Sequence, residues 1–181
     1  MEQIKTLIFV DSDDTCRAAM IKILMSKKVL YRPLEIKSRG LVVLFSEPLD
    51  AKAYAVLNEK GYGWCLEHKA EQLLQEDIGD DVLLLTMEDK QKIRIWEQFE
   101  NARNVYTLAE YIHYNGDILP LYGEPLSSYE EWIAGMDVML DELVLRLNGQ
   151  EALLPYQADG PEEAMPEDTM IKEDVADDGE A

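Results

Sequence analysis

Leu7-Ile8-Phe9-Val10-Asp11-Ser12-Asp13-Asp14-Thr15-Cys16-Arg17-Ala18-Ala19-Met20 is the stretch on which the fold is decided. The unbroken apolar run Leu7–Val10, preceded by Ile4, predicts a strand buried on both faces, as in a parallel sheet. Asp11 to Asp14 is a polar loop. From Thr15 to about Lys28, Ala18, Ala19, Met20, Ile21, Ile23 and Leu24 suit a buried helix, with Asp14 a candidate N-cap. A strand, a loop and a helix in this order make a natural ligand site. Loop N–H groups and a helix N-terminus form an anion nest, to which Arg17 can add a two-pronged fork for phosphate.

Outward from that stretch, strands and helices alternate. A shorter strand is expected near Leu34–Lys37, with Ser38-Arg39-Gly40 as a turn. Pro48, Leu49 and Asp50 lead into a helix with Ala53, Val56 and Leu57 on one face and Gly61 just past its end. Val82-Leu83-Leu84-Leu85 predicts a second central strand. A helix over about Glu88–Phe99 packs Ile93, Trp96 and Ile95, and Asn104-Val105-Tyr106 is a short last strand. In the final helix, Tyr129, Trp132, Ile133, Met136, Met139, Leu140, Leu143, Val144 and Leu147 recur at helical spacing. Ser127 with Glu130 forms a capping-box pattern at its start, and Asn148-Gly149 ends it. The alternation predicts an α/β three-layer sandwich around a four-stranded parallel sheet.

The chain has 181 residues and a formal net charge of -20, from 37 acidic and 17 basic residues. One domain with a sizeable core fits this length. The charge argues against nucleic acid and anionic membrane as partners. Residues 151–181 hold 11 acids and only Lys172 as a base. From about Ala158 that stretch has no aromatic residue, so it is expected to be a disordered acidic tail behind a domain over 1–150. Cys16 and Cys65 are no disulfide framework. No signal-peptide pattern or membrane-length apolar run is read, so the expected home is the cytoplasm.

The segment Leu7–Met20 resembles the phosphate-binding loop of the low-molecular-weight protein phosphatases. There, a nucleophilic Cys, four polar or small residues, a second Cys and an Arg follow the first strand. Further blocks occur in the family's order over roughly residues 4–148. Ser38-Arg39-Gly40-Leu41 is similar to its Ser-Ala-Gly segment, and Glu47-Pro48 opens its next helix. Glu67-His68-Lys69-Ala70-Glu71-Gln72-Leu73 looks like its His-Arg-Ala-Arg-Gln-Leu stretch, and Leu85-Thr86-Met87 with Asp89-Lys90 matches another block. Tyr106-Thr107-Leu108-Ala109-Glu110-Tyr111 resembles Thr-Leu-Lys-Glu-Tyr, and Gly116-Asp117-Ile118 with Gly123 brackets the acid loop. Thr15 before Cys16 resembles the arginine-phosphatase branch more than the tyrosine branch.

What the resemblance implies for chemistry is a set of losses. The position of the nucleophile holds Asp11, and a carboxylate is a poor substitute for a thiolate. Asp13 stands for the loop's Gly and Asp14 for its Asn. At about 4 Å and a surface-like dielectric, each like-charge contact with a phosphate would cost about 4 kcal/mol before screening. The Ser and Pro after the Arg are Ala18 and Ala19. Against the family's Asp-Ile-Pro-Asp-Pro-Phe-Gly, the chain reads Asp117-Ile118-Leu119-Pro120-Leu121-Tyr122-Gly123, so Pro120 occupies the general acid's position. The expected reading is therefore a pseudophosphatase acting through a protein partner, with no catalytic residue and no cofactor. Arg17, Thr15, Ser12 and Cys16 are the remnant of a phosphate loop, with Arg17 paired to Asp11 in place of an anion.

Other readings stay open at this level. Asp11-Ser12-Asp13-Asp14-Thr15 also resembles the Asp-x-Asp-Gly-Thr motif of the haloacid-dehalogenase phosphatases, with Mg²⁺ between the acids. Thr86 and Lys90 would then serve, although Asp80-Asp81 come too early in the chain. A divalent metal at Asp11, Asp13 and Asp14 competes with a solvated acidic loop, and no metal site is assigned. Cys16 is either a reactive thiol or a packed small residue. Cys65 is read as packed, His68 as structural, His113 as a loop residue and Asp117 as structural.

Overall fold

The computed structural model describes residues 4–149, so the expected acidic tail lies outside the described residues. The strands β1 (Thr6–Asp11), β2 (Glu35–Gly40), β3 (Val82–Thr86) and β4 (Val105–Thr107) form one parallel sheet in the order β2-β1-β3-β4. The helices are α1 (Arg17–Met25), α2 (Ala51–Glu59), α3 (Asp89–Gln98), α4 (Leu108–Tyr111) and α5 (Leu126–Leu147). The expected three-layer α/β sandwich is therefore present. Among the described residues, no helix is long and apolar enough to cross a membrane.

Why the strands read as solid apolar runs is visible in the packing. Successive side chains point to opposite faces. Leu7, Phe9, Leu83 and Leu85 enter a core with α1, α2 and α5, while Ile8, Val10, Leu84 and Val105 enter a second core with Ile95 of α3. Both faces are covered, so alternation vanishes. The helix α5 lays Tyr129, Ile133, Met136, Leu140 and Leu143 into the first core, with Trp132, Met139, Val144 and Leu147 packed at its margin.

Several local expectations are corrected. Ser38-Arg39-Gly40 is the end of β2, not a turn, because Phe9, Val10 and Asp11 pair with these residues. Register with a buried neighbour outweighs local turn preference there. Gly40 is needed for proximity: a Cβ would stand 2.6 Å from the carbonyl carbon of Asp13. In α3, Ile95 and Gln91 face the sheet, whereas Ile93 and Trp96 are exposed, with Lys92 Nζ 5.4 Å from the Trp96 ring. The short α4 follows a capping box in which Thr107 Oγ1 accepts from Glu110 N and Glu110 Oε2 accepts from Thr107 N. The α5 helix begins at Leu126 behind Pro125, so the Ser127–Glu130 pair is inside it and caps nothing. Helix α1 starts after Cys16, two residues later than the Asp14 cap allows.

The sheet order sets the site. From β1 the chain crosses to one side to form β2, and β3 lies on the other side. The C-terminal ends of β1 and β3 are thus a topological switch point, where α/β folds place their ligands.

Candidate functional site

At that switch point the loop 11–16 leaves β1 and turns into α1. It is pinned from the β2 side: Leu41 N donates to Asp11 O (2.9 Å), Val42 N to Ser12 O (2.9 Å) and Asp50 N to Thr15 O (2.8 Å). From the β3 side, Gln91 at the start of α3 is fixed because its Oε1 accepts from Met87 N and Glu88 N, both at 3.0 Å. Its Nε2 then donates to Asp11 Oδ1 (3.1 Å) and Ser12 Oγ (3.2 Å).

Arg17 is the centre of the arrangement and is 4% exposed. Its Nε donates to Asp11 Oδ2 at 3.0 Å and its Nη2 to Asp11 Oδ1 at 2.5 Å, a two-pronged grip on one carboxylate. Nη2 also donates to Glu88 Oε1 at 2.7 Å, and Nη1 donates to the Ile118 carbonyl. Burial alone would lower the guanidinium pKa, but Asp11 and Glu88 together push it up. Burial opposes ionisation of Glu88, yet Lys90 and Arg17 hold its carboxyl below the usual range. The pairing of Arg17 with Asp11 was legible in the sequence, while Glu88 and Gln91 were missed as site residues. Their signal was position, because they follow the central strand β3 directly at the switch point.

Three further loop donors are turned onto the loop's own acids. Ser12 N donates to Asp11 Oδ1 (2.7 Å), and Thr15 N and Oγ1 both donate to Asp13 Oδ1 (3.0 and 2.8 Å). Cys16 sits at the N-cap position of α1 without a side-chain cap. Burial first, then Asp50 and Asp11, push its thiol up to about 12, so it is no activated nucleophile. Pro120 is exposed and carries no acid chemistry, and Asp117 Oδ1 accepts from Asp89 N (2.9 Å), a structural contact.

Asp14 is buried in a left-handed turn with φ of 60°. Its Oδ2 accepts from Glu71 N (3.0 Å), and His68 Nε2 donates to its backbone carbonyl (2.7 Å). Burial raises its pKa, tempered by Ser38, the Glu71 amide, His68 and Lys22. A carboxyl whose folded-state pKa is raised binds its proton more tightly in the folded chain. Its contribution to stability is therefore greatest below the ordinary carboxylate pKa and falls as pH rises through the folded value. Asp14→Asn keeps the acceptor for Glu71 N, suits the left-handed turn and removes the cost of ionisation. The urea midpoint of Asp14→Asn should exceed that of the wild type at pH 7, and the gap should close at pH 4. A variant no more stable than wild type at pH 7 would contradict this.

The haloacid-dehalogenase arrangement has no geometric basis. Asp80 and Asp81 lie at the entry to β3, where Asp81 pairs with Lys5 (3.1 Å). That is the opposite end of the sheet from Asp11. Thr86 is buried with its hydroxyl donating to the Glu88 carbonyl (3.1 Å), and Lys90 pairs with Glu88 (2.6 Å). Asp11 is already held by Arg17, and among the described residues no group of three His, Cys, Asp or Glu side chains is gathered to hold a metal ion.

Comparison with known proteins gives the arrangement its setting. The family model described as low molecular weight phosphotyrosine protein phosphatase matches residues 6–152. The chain belongs to this family. A low molecular weight protein-tyrosine-phosphatase, PtpB of Staphylococcus haemolyticus, is 27% identical over 131 residues, 69% of this chain and 87% of that protein. Among solved structures, the low molecular weight protein tyrosine phosphatase from T. tengcongensis superposes with a TM-score of 0.71 at 30% identity, over 78% of this chain and 99% of that one. The YwlE arginine phosphatase from Geobacillus stearothermophilus superposes with a TM-score of 0.72 at 27% identity, over 84% and 99%. At the centre of the matched region, the Asp11 carboxylate fills the fork of Arg17.

Proposed function

We propose that this chain is a non-catalytic member of the low-molecular-weight phosphatase family, a cytoplasmic protein that works by binding a protein partner. One observation carries the reading: the guanidinium fork of Arg17 is occupied by the protein's own Asp11 and by Glu88. A phosphate entering beside Arg17 would have to displace Asp11 and then sit against its charge. The thiol needed for a phosphoryl-enzyme is absent at position 11, and the one thiol in the loop, Cys16, is held in its protonated form.

The test is an aryl phosphate assay with and without Mg²⁺, run beside a ³¹P titration with inorganic phosphate. No turnover above buffer and no phosphate binding are expected in either condition. Metal-dependent turnover that disappears in Asp11→Asn would establish Asp-dependent phosphatase chemistry and overturn the proposal. Metal-independent turnover would overturn it as well.

A further inference from the structure

The mouth of the site has a surface opposite in character to one that receives a phosphate. Loop 41–50 rises on the β2 side of loop 11–16, joined to it through Val42 N and Ser12 O. Loop 112–125 rises on the β3 side, joined through Ile118 N and Met87 O and through the Arg17 contact to the Ile118 carbonyl. Leu44 (81% exposed) and Phe45 (74%) stand on the first loop, and Leu119 (73%) and Tyr122 (98%) on the second. Large side chains this exposed on both loops that adjoin loop 11–16 mark an interaction surface.

The charge of the three loops states what kind of partner they suit. Residues 11–16, 41–50 and 112–125 contain no lysine or arginine. Asp13, Glu47, Asp117 and Glu124 are exposed carboxylates on them. Of the lysines flanking these loops, Lys90 pairs with Glu88 and Lys52 donates to the Glu124 carbonyl. An apolar rim with an acidic field fits a cationic segment, and complementarity of this kind fixes which partner can approach. A second copy is disfavoured by a net charge of -20 on each chain.

We infer that this mouth docks a protein segment carrying an unmodified arginine or lysine between apolar residues, the cation lying over the acidic loop and the apolar neighbours against Phe45 and Tyr122. The inference rests on the non-catalytic, partner-binding reading and names the chemistry of the partner.

Fluorescence anisotropy with labelled peptides tests it. The probes are Gly-Leu-Arg-Phe-Lys-Leu-Gly, its counterpart with Glu at both basic positions, its counterpart with Gln there, and a tyrosine-phosphorylated peptide. The basic peptide should bind saturably and the acidic one should not, with the Gln peptide between them. The double variant Phe45→Ser/Tyr122→Ser should weaken the basic peptide at least about tenfold with an unchanged Tm, since both side chains lie in solvent. Glu47→Gln/Glu124→Gln should weaken it and flatten its salt dependence. Equal binding of acidic and basic peptides, no saturable binding, or indifference to the Phe45/Tyr122 change overturns the inference. If the basic peptide fails while turnover and phosphate binding stay absent, only this inference falls. Preferential capture of the phosphopeptide beside Arg17 would overturn the proposed function too.

Discussion

Asp11→Cys, Asp13→Gly, Asp14→Asn and Pro120→Asp, introduced together, are expected to give a protein that hydrolyses aryl phosphates, where the proposed function expects no turnover from the wild type. The scaffold for that reaction is standing. Arg17 is buried and aimed at position 11, Glu88 and Gln91 orient it and the loop, and the 41–50 segment pins the loop from outside. A Cys at position 11 would release Arg17 Nε and Nη2 from Asp11, with Nη2 still held by Glu88, and would place a thiol where that cation can lower its pKa. The same variant with Pro120 retained should be slower by about 10² to 10⁴, the usual worth of a general acid. Single-turnover and steady-state assays on both variants read this directly. Ala18 after Arg17 has no hydroxyl to donate to a thiolate at position 11, so the restored rate should stay below that of phosphatases that have such a donor. A quadruple variant that folds but neither turns over nor binds phosphate would mean that the four positions were misaligned with the family.

The largest stability effect should come from Arg17→Met. The guanidinium is buried between two carboxylates, and removing it strands Asp11 without its countercharge and leaves Glu88 with only the exposed Lys90. Breaking a buried ion group from one side costs about 3–5 kcal/mol. Replacing the whole group with neutral residues often costs little. The triple variant Arg17→Met/Asp11→Asn/Glu88→Gln should therefore recover most of the loss, which separates the electrostatic penalty from simple loss of packing. Urea unfolding with an unchanged slope is the measurement. A single variant within about 1 kcal/mol of wild type would show that the group is hydrated, contrary to its burial.

What was legible in the sequence follows the strength of the physical signal. The runs at Leu7–Val10 and Val82–Leu85 could hardly be anything but strands covered on both faces, and the period of α5 left no choice of face. The pairing of Arg17 with Asp11 could be read because strand, loop and helix bring residues six apart in the chain together. Glu88 lies 71 residues from Arg17, and no local pattern reports such a distance. The end of β2 was misread because Ser, Arg and Gly in a row prefer a turn in isolation, whereas β1 supplies partners that only the folded sheet reveals. Ile93 and Trp96 were misplaced for a related reason: α3 is held by Gln91 and Ile95, so its polar-looking face turns inward at Gln91 to reach the site.

The protonated Cys16 has a bearing on how the protein survives oxidants. Burial pushes its thiol up to about 12, so it stays protonated at pH 7, and peroxide attacks the ionised form. Cys16 is the one cysteine of loop 11–16, so no disulfide can close across the loop. The proposed binding surface around that loop would keep its shape under oxidants that silence thiol-based enzymes.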